Sequence, residues 1–225
     1  MTPARESSNY HRLKYKRWRT VIAIILHKGD LPDGLKLPGD IAVDTEAMGL
    51  VNARDRLCLV QLSNGDGNAH LVQFAPGVYS APNLQRLLSD QNTVKLFHFA
   101  RFDVAILRYY LGILVQPLYC TRTASKLCRT FTDRHGLKDI CRDLIGKEIS
   151  KQQQTSDWGA PELTQEQKEY AANDVLYLHQ LRIALDRLLE RERRVELARA
   201  CFNFLPARAM LDLAGWQDTD IFAHQ

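Results

Sequence analysis

Two carboxylates, Asp44 and Glu46, follow an apolar run at residues 41–43. The β-branched residues of this run predict a buried strand, on which residues i and i+2 point to the same side. The two like charges would therefore lie together, and repulsion and desolvation make that arrangement costly without a cation. Because Mg²⁺ and Mn²⁺ prefer carboxylate oxygens, the pair is a candidate divalent-metal site, although Asp-x-Glu alone is a weak motif.

Three further groups could complete such a site. Asp103 stands at the expected start of a helix, where it could also serve as a cap or pair with the helix dipole. Tyr170 and Asp174 are four residues apart and share one face of a predicted helix, as an ordinary amphipathic helix would also arrange them. The polar stretch at residues 149–158 ends in Trp158 and could equally be a surface loop with an anchoring tryptophan. Taken together, these groups favour a metal-dependent catalytic site over separate structural roles.

Strands are predicted first along the chain and helices mostly later. The apolar patterns predict strands at 21–26, 41–45, 56–62, 69–74 and 93–98, the first four as an antiparallel meander with a turn at 64–67. A helix from Ser80, the expected N-cap, to residue 88 has Pro82 in its first turn. Further helices are expected at 102–110, 121–130, 136–145, 164–190, 192–203 and 206–213. This order predicts an α/β fold in which helices flank a mixed central sheet.

The positive charge is concentrated at one end of the chain. The 225 residues carry a net charge of +4, but residues 1–20 alone contribute +5, so the remainder is close to neutral at −1. Residues 1–21 are expected to be a basic, disordered arm, with weak attraction to nucleic acid as the alternative, and residues 22–225 a single domain. A near-neutral domain argues against a surface that grips a long duplex through many phosphates.

Cysteine usage and hydropathy predict the compartment. Five dispersed cysteines without Cys-x-x-Cys spacing suggest reduced thiols, hence a cytoplasmic protein rather than a disulfide or zinc framework. No apolar run approaches the ~18–20 residues that a membrane span requires, so no membrane partner is expected.

The acidic positions and the tyrosine resemble the motifs of the DEDD superfamily of 3′-5′ exonucleases, in the ribonuclease D branch of its Tyr-x-x-x-Asp subclass. The matching motifs are, in chain order, Asp44-Thr-Glu46, Phe102-Asp103 and Tyr170-x-x-x-Asp174. The segments at 150–153 and 156–158 are similar to the stretch before the third motif. The resemblance implies a ribonuclease H-like (DnaQ-like) exonuclease fold.

A narrower resemblance, to the short relatives known as nano-ribonuclease C, rests on residues 27–32, 132–137 and 201–224. It implies 3′-5′ hydrolysis of short single-stranded RNA or DNA oligonucleotides, dinucleotides above all, to nucleoside 5′-monophosphates by a ring-shaped homo-octamer. Trimming of structured RNA 3′ ends, as in full-length ribonuclease D, and an inactive nucleic-acid-binding scaffold are the alternatives. The preference for RNA or DNA stays open, because recognition of the 2′-hydroxyl depends on pocket shape.

The resemblance also implies roles for individual residues. Two divalent cations, Mg²⁺ or Mn²⁺, would be held by Asp44, Glu46, Asp103 and Asp174, with Asp44 bridging both, and Tyr170 would orient the attacking water. Glu46 would also contact the terminal 3′-hydroxyl. Candidate substrate contacts are Met48, Gly49, Leu50, His98, Arg101, Lys151, Ser156 and Trp158. Whether Arg134 and His135 meet a 5′-phosphate or simply begin a helix is left open.

Overall fold

A six-stranded mixed β-sheet forms the centre of the protein in the computed structural model, which describes residues 23–150 and 152–224. In chain order the strands are β1 (Ala23–Lys28), β2 (Ile41–Ala47), β3 (Leu57–Ser63), β4 (Asn68–Gln73), β5 (Lys95–Phe97) and β6 (Leu118–Cys120). Their order across the sheet is β1-β4-β3-β2-β5-β6. The mixed sheet predicted from the sequence is confirmed. The basic arm at residues 1–21 lies outside the described residues.

The predicted antiparallel meander is correct for β2, β3 and β4 but wrong for β1. This first strand lies at the sheet edge and pairs in parallel with β4. A hairpin needs a tight turn, whereas residues 29–40 separate β1 from β2 and allow the chain to cross the sheet. Strand β6 was not predicted, because three residues are too few to show an alternating pattern.

Helices surround the sheet and follow it in the chain. They are α1 (Pro82–Ser89), α2 (Ala100–Leu111), α3 (Thr121–Cys128), α4 (Leu137–Ile145), α5 (Gln165–Leu176), α6 (Leu178–Arg191) and α7 (Val195–Leu213). The single helix predicted at 164–190 is interrupted at Tyr177. Conversely, the two helices predicted at 192–203 and 206–213 are one helix, α7, which continues through the buried Pro206. Tertiary packing thus overrides the local tendency of proline to end a helix.

The N-terminus of α1 is capped differently from the prediction. Its N-cap is Ala81, not Ser80, and no N-cap side chain bonds to the helix. Instead Asp30, from the loop after β1, accepts hydrogen bonds of 2.9 Å from the backbone N–H groups of Asn83 and Leu84. A distant carboxylate therefore satisfies donors that a local cap usually serves.

Helix α5 lies across β2, β3 and β4 and is the element that faces the predicted metal pair. A capping box between Thr164 and Gln167 fixes its first turn. A small apolar cluster joins Ala171 of this helix to Leu59 of β3 and to Trp158. Among the described residues, no helix has the length and apolar character needed to cross a bilayer. All five cysteines are free.

Candidate active site

Strand β2 presents Asp44 and Glu46 to the same side of the sheet. The strand lies between β3 and β5, and its first half, Ile41 to Val43, is fully buried. This apolar half fixes the register, so that the acidic half reaches a cleft of about 990 Å³. The prediction that the two side chains share a face is confirmed by their membership in one cluster of carboxylates.

Helix α5 adds Asp174 to the pair on β2. One carboxylate oxygen from each of Asp44, Glu46 and Asp174 lies within 4.8 Å of the other two. Three convergent carboxylate oxygens are a donor set suited to a hard divalent cation such as Mg²⁺ or Mn²⁺. The side chains remain partly accessible from the cleft. The arrangement therefore fits the cation that the sequence predicts.

Asp103, the fourth acidic residue, lies on α2 and does not belong to the cluster of three carboxylates. The chain turns sharply into α2 at Phe99, a non-glycine residue with φ of 70°. Asp103 then occupies the first turn, is only 4% exposed and accepts a 2.6 Å hydrogen bond from the Thr45 hydroxyl. Since Thr45 stands between the paired carboxylates, this bond ties the fourth acidic residue to the strand that carries the first two.

Burial raises the pKa values of all four carboxyl groups, and the charges of neighbouring carboxylates add to the shift in Asp44, Glu46 and Asp174. Burial, followed by the charges of Asp103, Asp174 and Glu46, raises the pKa of Asp44 well above its usual range. The pKa of Glu46 is raised by burial and by the charges of Asp174 and Asp103. Burial raises the pKa of Asp103 to about 7 against the opposing Thr45 hydrogen bond, and burial with the Asp103 charge raises the pKa of Asp174 to about 7. A bound cation would relieve this repulsion.

Tyr170 lies one helical turn before Asp174 on α5. Burial, followed by the charges of Asp174 and Glu46, raises the pKa of the Tyr170 phenol. The phenol is therefore a donor rather than a base at neutral pH. Trp158 packs against the tyrosine ring with 6.0 Å between centroids and is only 3% exposed, so it supports Tyr170 from the protein interior.

The loop after β2 carries Met48, Gly49 and Leu50, three of the candidate substrate contacts, to the cleft. Leu50 is 84% exposed and Met48 is 52% exposed, which distinguishes both from core residues. A Cβ on Gly49 would lie 2.3 Å from Oδ2 of Asp55. That same oxygen accepts a 2.9 Å hydrogen bond from the Val51 N–H. Glycine is thus needed for the close approach that shapes this loop.

Two predicted phosphate contacts, His98 and Arg101, also line the cleft. The Thr121 hydroxyl donates to the Phe97 carbonyl at 3.1 Å and so accepts from Nδ1 of His98 at 2.9 Å. Arg101 instead donates to Asp212 through two hydrogen bonds of 2.6 and 2.7 Å. Its charge is therefore already balanced by a carboxylate of α7.

The remaining predicted contacts differ in their surroundings. Ser156 lines the cleft and donates a 2.5 Å hydrogen bond to Gln153. Lys151 lies outside the described residues. His135 is largely buried, with Nδ1 2.9 Å from the Ser125 hydroxyl, and neither it nor Arg134 is among the residues that line the cleft.

Several cleft residues were missed by sequence reasoning. They are Asn52, Phe99, Arg122, Lys138, Asp212, Gln217 and Asp218. The guanidinium of Arg122 lies 4.4 Å from the centre of the Phe99 ring. Arg122 follows β6, the strand that was also missed, and Asp212 belongs to a helix more than a hundred residues from Arg101. No local pattern links these residues to the motifs.

Known proteins resemble this chain in both sequence and structure. Residues 30–190 match the family described as 3′-5′ exonuclease. Ribonuclease D of Gluconacetobacter diazotrophicus is 37% identical over 156 residues, which make up 69% of this chain and 39% of the relative. The chain thus matches well under half the length of that curated relative. Escherichia coli RNase D is 26% identical with a TM-score of 0.66, over 80% of this chain and 48% of that one.

The structure of Brucella melitensis NrnC is a fuller match. It is 54% identical with a TM-score of 0.88, over 90% of this chain and 99% of NrnC. The same protein has been solved bound to pGG and with bound Mg²⁺. These similarities confirm the expected ribonuclease H-like exonuclease fold.

Proposed function

This chain belongs to the 3′-5′ exonuclease family, as an NrnC-like member of its ribonuclease D branch, and we propose that it hydrolyses short oligonucleotides from their 3′ ends to nucleoside 5′-monophosphates. The observation that carries this proposal is the convergence of Asp44, Glu46 and Asp174 within 4.8 Å, with Asp103 close by, on one side of a 990 Å³ cleft. Four carboxylates with raised pKa values have no evident structural purpose without a cation.

Two divalent cations, Mg²⁺ or Mn²⁺, are the proposed cofactors. Asp44, Glu46 and Asp174 would hold one of them, and Asp103 together with Asp44 the other. When bound, the cations acidify the attacking water and offset the charge that develops on the scissile phosphate. The Mg²⁺-bound structure of NrnC, at 52% identity, supports this cofactor class.

The chain's own residues would orient the substrate. The Tyr170 hydroxyl, held one turn from Asp174 and supported by Trp158, would orient the attacking water by hydrogen bonding. Glu46 would accept a hydrogen bond from the terminal 3′-hydroxyl, so that the site would require a free 3′ end. Leu50, exposed at the cleft, would pack against a terminal base, and His98 would contact phosphate.

Cleft size favours short substrates. A volume of about 990 Å³ is at the upper end of the ~300–1,000 Å³ found for small-ligand pockets, a size suited to a short oligonucleotide. Residues 21–225 carry a net charge of −1, which disfavours a long basic track. NrnC was solved with the short oligonucleotide pGG. We therefore propose dinucleotides as the preferred substrates.

The assembly is proposed to be a homo-octamer in the cytoplasm. Several large apolar residues of α7 and the following segment are exposed, including Phe204, Trp216 and Phe222. Patches of this kind commonly mark protein interfaces. The eightfold ring itself follows only from the nano-ribonuclease C resemblance, and light scattering would test it, since a monomer mass excludes a stable octamer.

One experiment tests the activity and its substrate class. Purified protein is incubated with 5′-labelled RNA of two, seven and twenty nucleotides, with Mn²⁺ or with EDTA. We expect Mn²⁺-dependent release of mononucleotides, fastest from the dinucleotide, and no turnover by Asp174→Asn. Hydrolysis of no substrate would favour an inactive scaffold, and equal rates at all lengths would remove the dinucleotide preference. Preferred trimming of a structured RNA would instead favour ribonuclease D-like processing.

A matched substitution controls for general effects on folding. Asp186→Asn changes a partly exposed aspartate on α6 that pairs with Arg182 and does not line the cleft. We expect it to keep full activity. Circular dichroism should show that both variants fold, so that loss of turnover only in Asp174→Asn reports on the metal site.

A further inference from the structure

An ion network joins the C-terminal helix to the start of α2 at the edge of the cleft. Asp212, in the last turn of α7, accepts two hydrogen bonds from Arg101 and a third, of 2.7 Å, from Arg208. The Asp212 side chain is only 9% exposed. A carboxylate in a last turn opposes the helix dipole, and this last turn contains no basic residue. The two arginines compensate for that unfavourable position.

The same arginines hold the backbone of the five residues that follow α7, residues 214–218, which we call the strap. Arg208 donates to the carbonyl oxygens of Trp216 at 2.6 Å and Gln217 at 3.0 Å. Arg101 donates to the Gln217 carbonyl at 2.5 Å. Because Arg101 lies two residues before Asp103, these bonds fix the strap beside the acidic cluster.

The strap forms part of the cleft wall and presents no cation to it. Gln217 and Asp218 line the cleft together with Asp212. The charge of Arg101 is balanced by Asp212, and Asp218 adds a carboxylate at the surface of the wall. A phosphodiester passing this wall would meet the carboxylate of Asp218 and the neutral side chain of Gln217, with no unpaired cation from the strap. The cleft-lining cations Arg122 and Lys138 follow β6 and the start of α4 instead.

We propose that the strap, anchored by Arg101, Asp212 and Arg208, sets the upper limit of substrate length by blocking the cleft on the α2 side. Arg101 is then a positioning residue and not a phosphate ligand. A dinucleotide fits in front of the strap, whereas a longer strand must displace it or pass its carboxylate. This inference rests on the proposed exonuclease activity.

The test compares kcat/KM for RNA of seven and two nucleotides in full-length variants. Arg208→Met removes the Arg208 hydrogen bonds to the Trp216 and Gln217 carbonyl oxygens but leaves the Arg101 bonds to Asp212 and Gln217 in place, and Arg208 itself does not line the cleft. We expect the ratio of kcat/KM for the seven-nucleotide RNA to kcat/KM for the dinucleotide to rise at least tenfold, through a lower KM for the longer RNA. The kcat/KM for the dinucleotide should stay within threefold of wild type. Arg199→Met, which breaks an exposed pair with Glu196 on the same helix, is the matched control and should leave the ratio unchanged.

Each outcome separates the inference from the function on which it rests. An unchanged ratio in a folded Arg208→Met protein, or an equal loss on both substrates, overturns the inference. If Arg208→Met shows no cooperative unfolding, Gln217→Ala with Asp218→Ala decides in the same assay, because it keeps the backbone bonds and removes only the wall side chains. Wild-type protein that cleaves neither RNA refutes the proposed activity, whereas equal wild-type rates refute only the length limit.

Discussion

The Thr45 hydroxyl donates a 2.6 Å hydrogen bond to Oδ1 of Asp103, and both side chains are almost fully buried. Thr45 belongs to the central strand and Asp103 to the first turn of α2, so this bond joins two elements that are distant in sequence. It leaves the Asp103 carboxylate with a fixed orientation. The residue between the paired carboxylates of β2 is thereby part of the site's construction, although its type does not suggest metal binding.

Replacing the threonine by valine should weaken cation binding. Thr45→Val preserves the shape of the side chain but removes a hydrogen bond to a charged group, which contributes about 1.5–3 kcal/mol. We expect apparent Mn²⁺ affinity, measured by isothermal titration calorimetry, to fall at least tenfold. Thr45→Ser, which retains the hydroxyl, should bind as wild type. Wild-type affinity in the valine variant would contradict a positioning role.

Cation binding should strengthen as the pH rises through about 7. The pKa values of Asp103 and Asp174 are raised to about 7 in the folded, cation-free protein, so their protons compete with the cation below that pH. We expect Mg²⁺ to raise the unfolding temperature strongly at pH 8 and little at pH 5.5. Calorimetry in two buffers should detect proton release on binding at pH 6. A pH-independent Mg²⁺ effect would refute the raised pKa values.

The same shifts have a consequence for stability without a cation. A carboxyl group whose pKa is raised by folding contributes stability that is complete below its unfolded pKa, near 4, and is lost as the pH rises through about 7. In EDTA, Asp174→Asn should therefore reduce the loss of unfolding free energy between pH 5 and pH 8. The comparison with wild type cancels the opposite contribution of histidines such as His179, whose pKa is lowered by burial.

Leu50 should affect substrate binding without affecting stability. Its side chain is 84% exposed in the cleft, so Leu50→Ala should change the unfolding free energy by less than ~0.5 kcal/mol. If the side chain packs on a base, the loss of about 1 kcal/mol should raise KM for a dinucleotide about fivefold with kcat unchanged. Val78→Ala, at a 56% exposed residue outside the cleft, is the control. An unaltered KM would remove Leu50 from the substrate contacts.

Lys95 should be important for stability and not for chemistry. Its side chain is completely buried on β5, and Nζ donates to the carbonyl oxygens of Asp90, Thr93 and Gln116 at 2.6–2.7 Å. Lys95→Met would remove all three of these hydrogen bonds from a buried side chain, and we expect a loss of about 3–5 kcal/mol in urea unfolding. The exposed Lys36→Met should change stability by less than ~0.5 kcal/mol. A small loss of unfolding free energy in Lys95→Met would mean that water binds the three carbonyl oxygens in place of the ammonium group.

The sequence determined which residues share a face of one element. Asp44 and Glu46 are two residues apart on a strand, and Tyr170 and Asp174 are four apart on a helix, so local periodicity alone fixes each pair. The hydrophobic patterns also predicted most elements of the sheet and helices. These features depend on contacts between residues that are near each other in the chain.

Only the tertiary structure decided which residues of different strands and helices come into contact. The parallel pairing of β1 with β4, the continuation of α7 through Pro206 and the capping of α1 by Asp30 all depend on distant packing that overrides local preference. The sequence around Arg101 also could not reveal its partner. An arginine that binds phosphate and an arginine that pairs with a distant carboxylate can have the same neighbours in the chain. The bond of Arg101 to Asp212 forms only when α2 and α7 pack together.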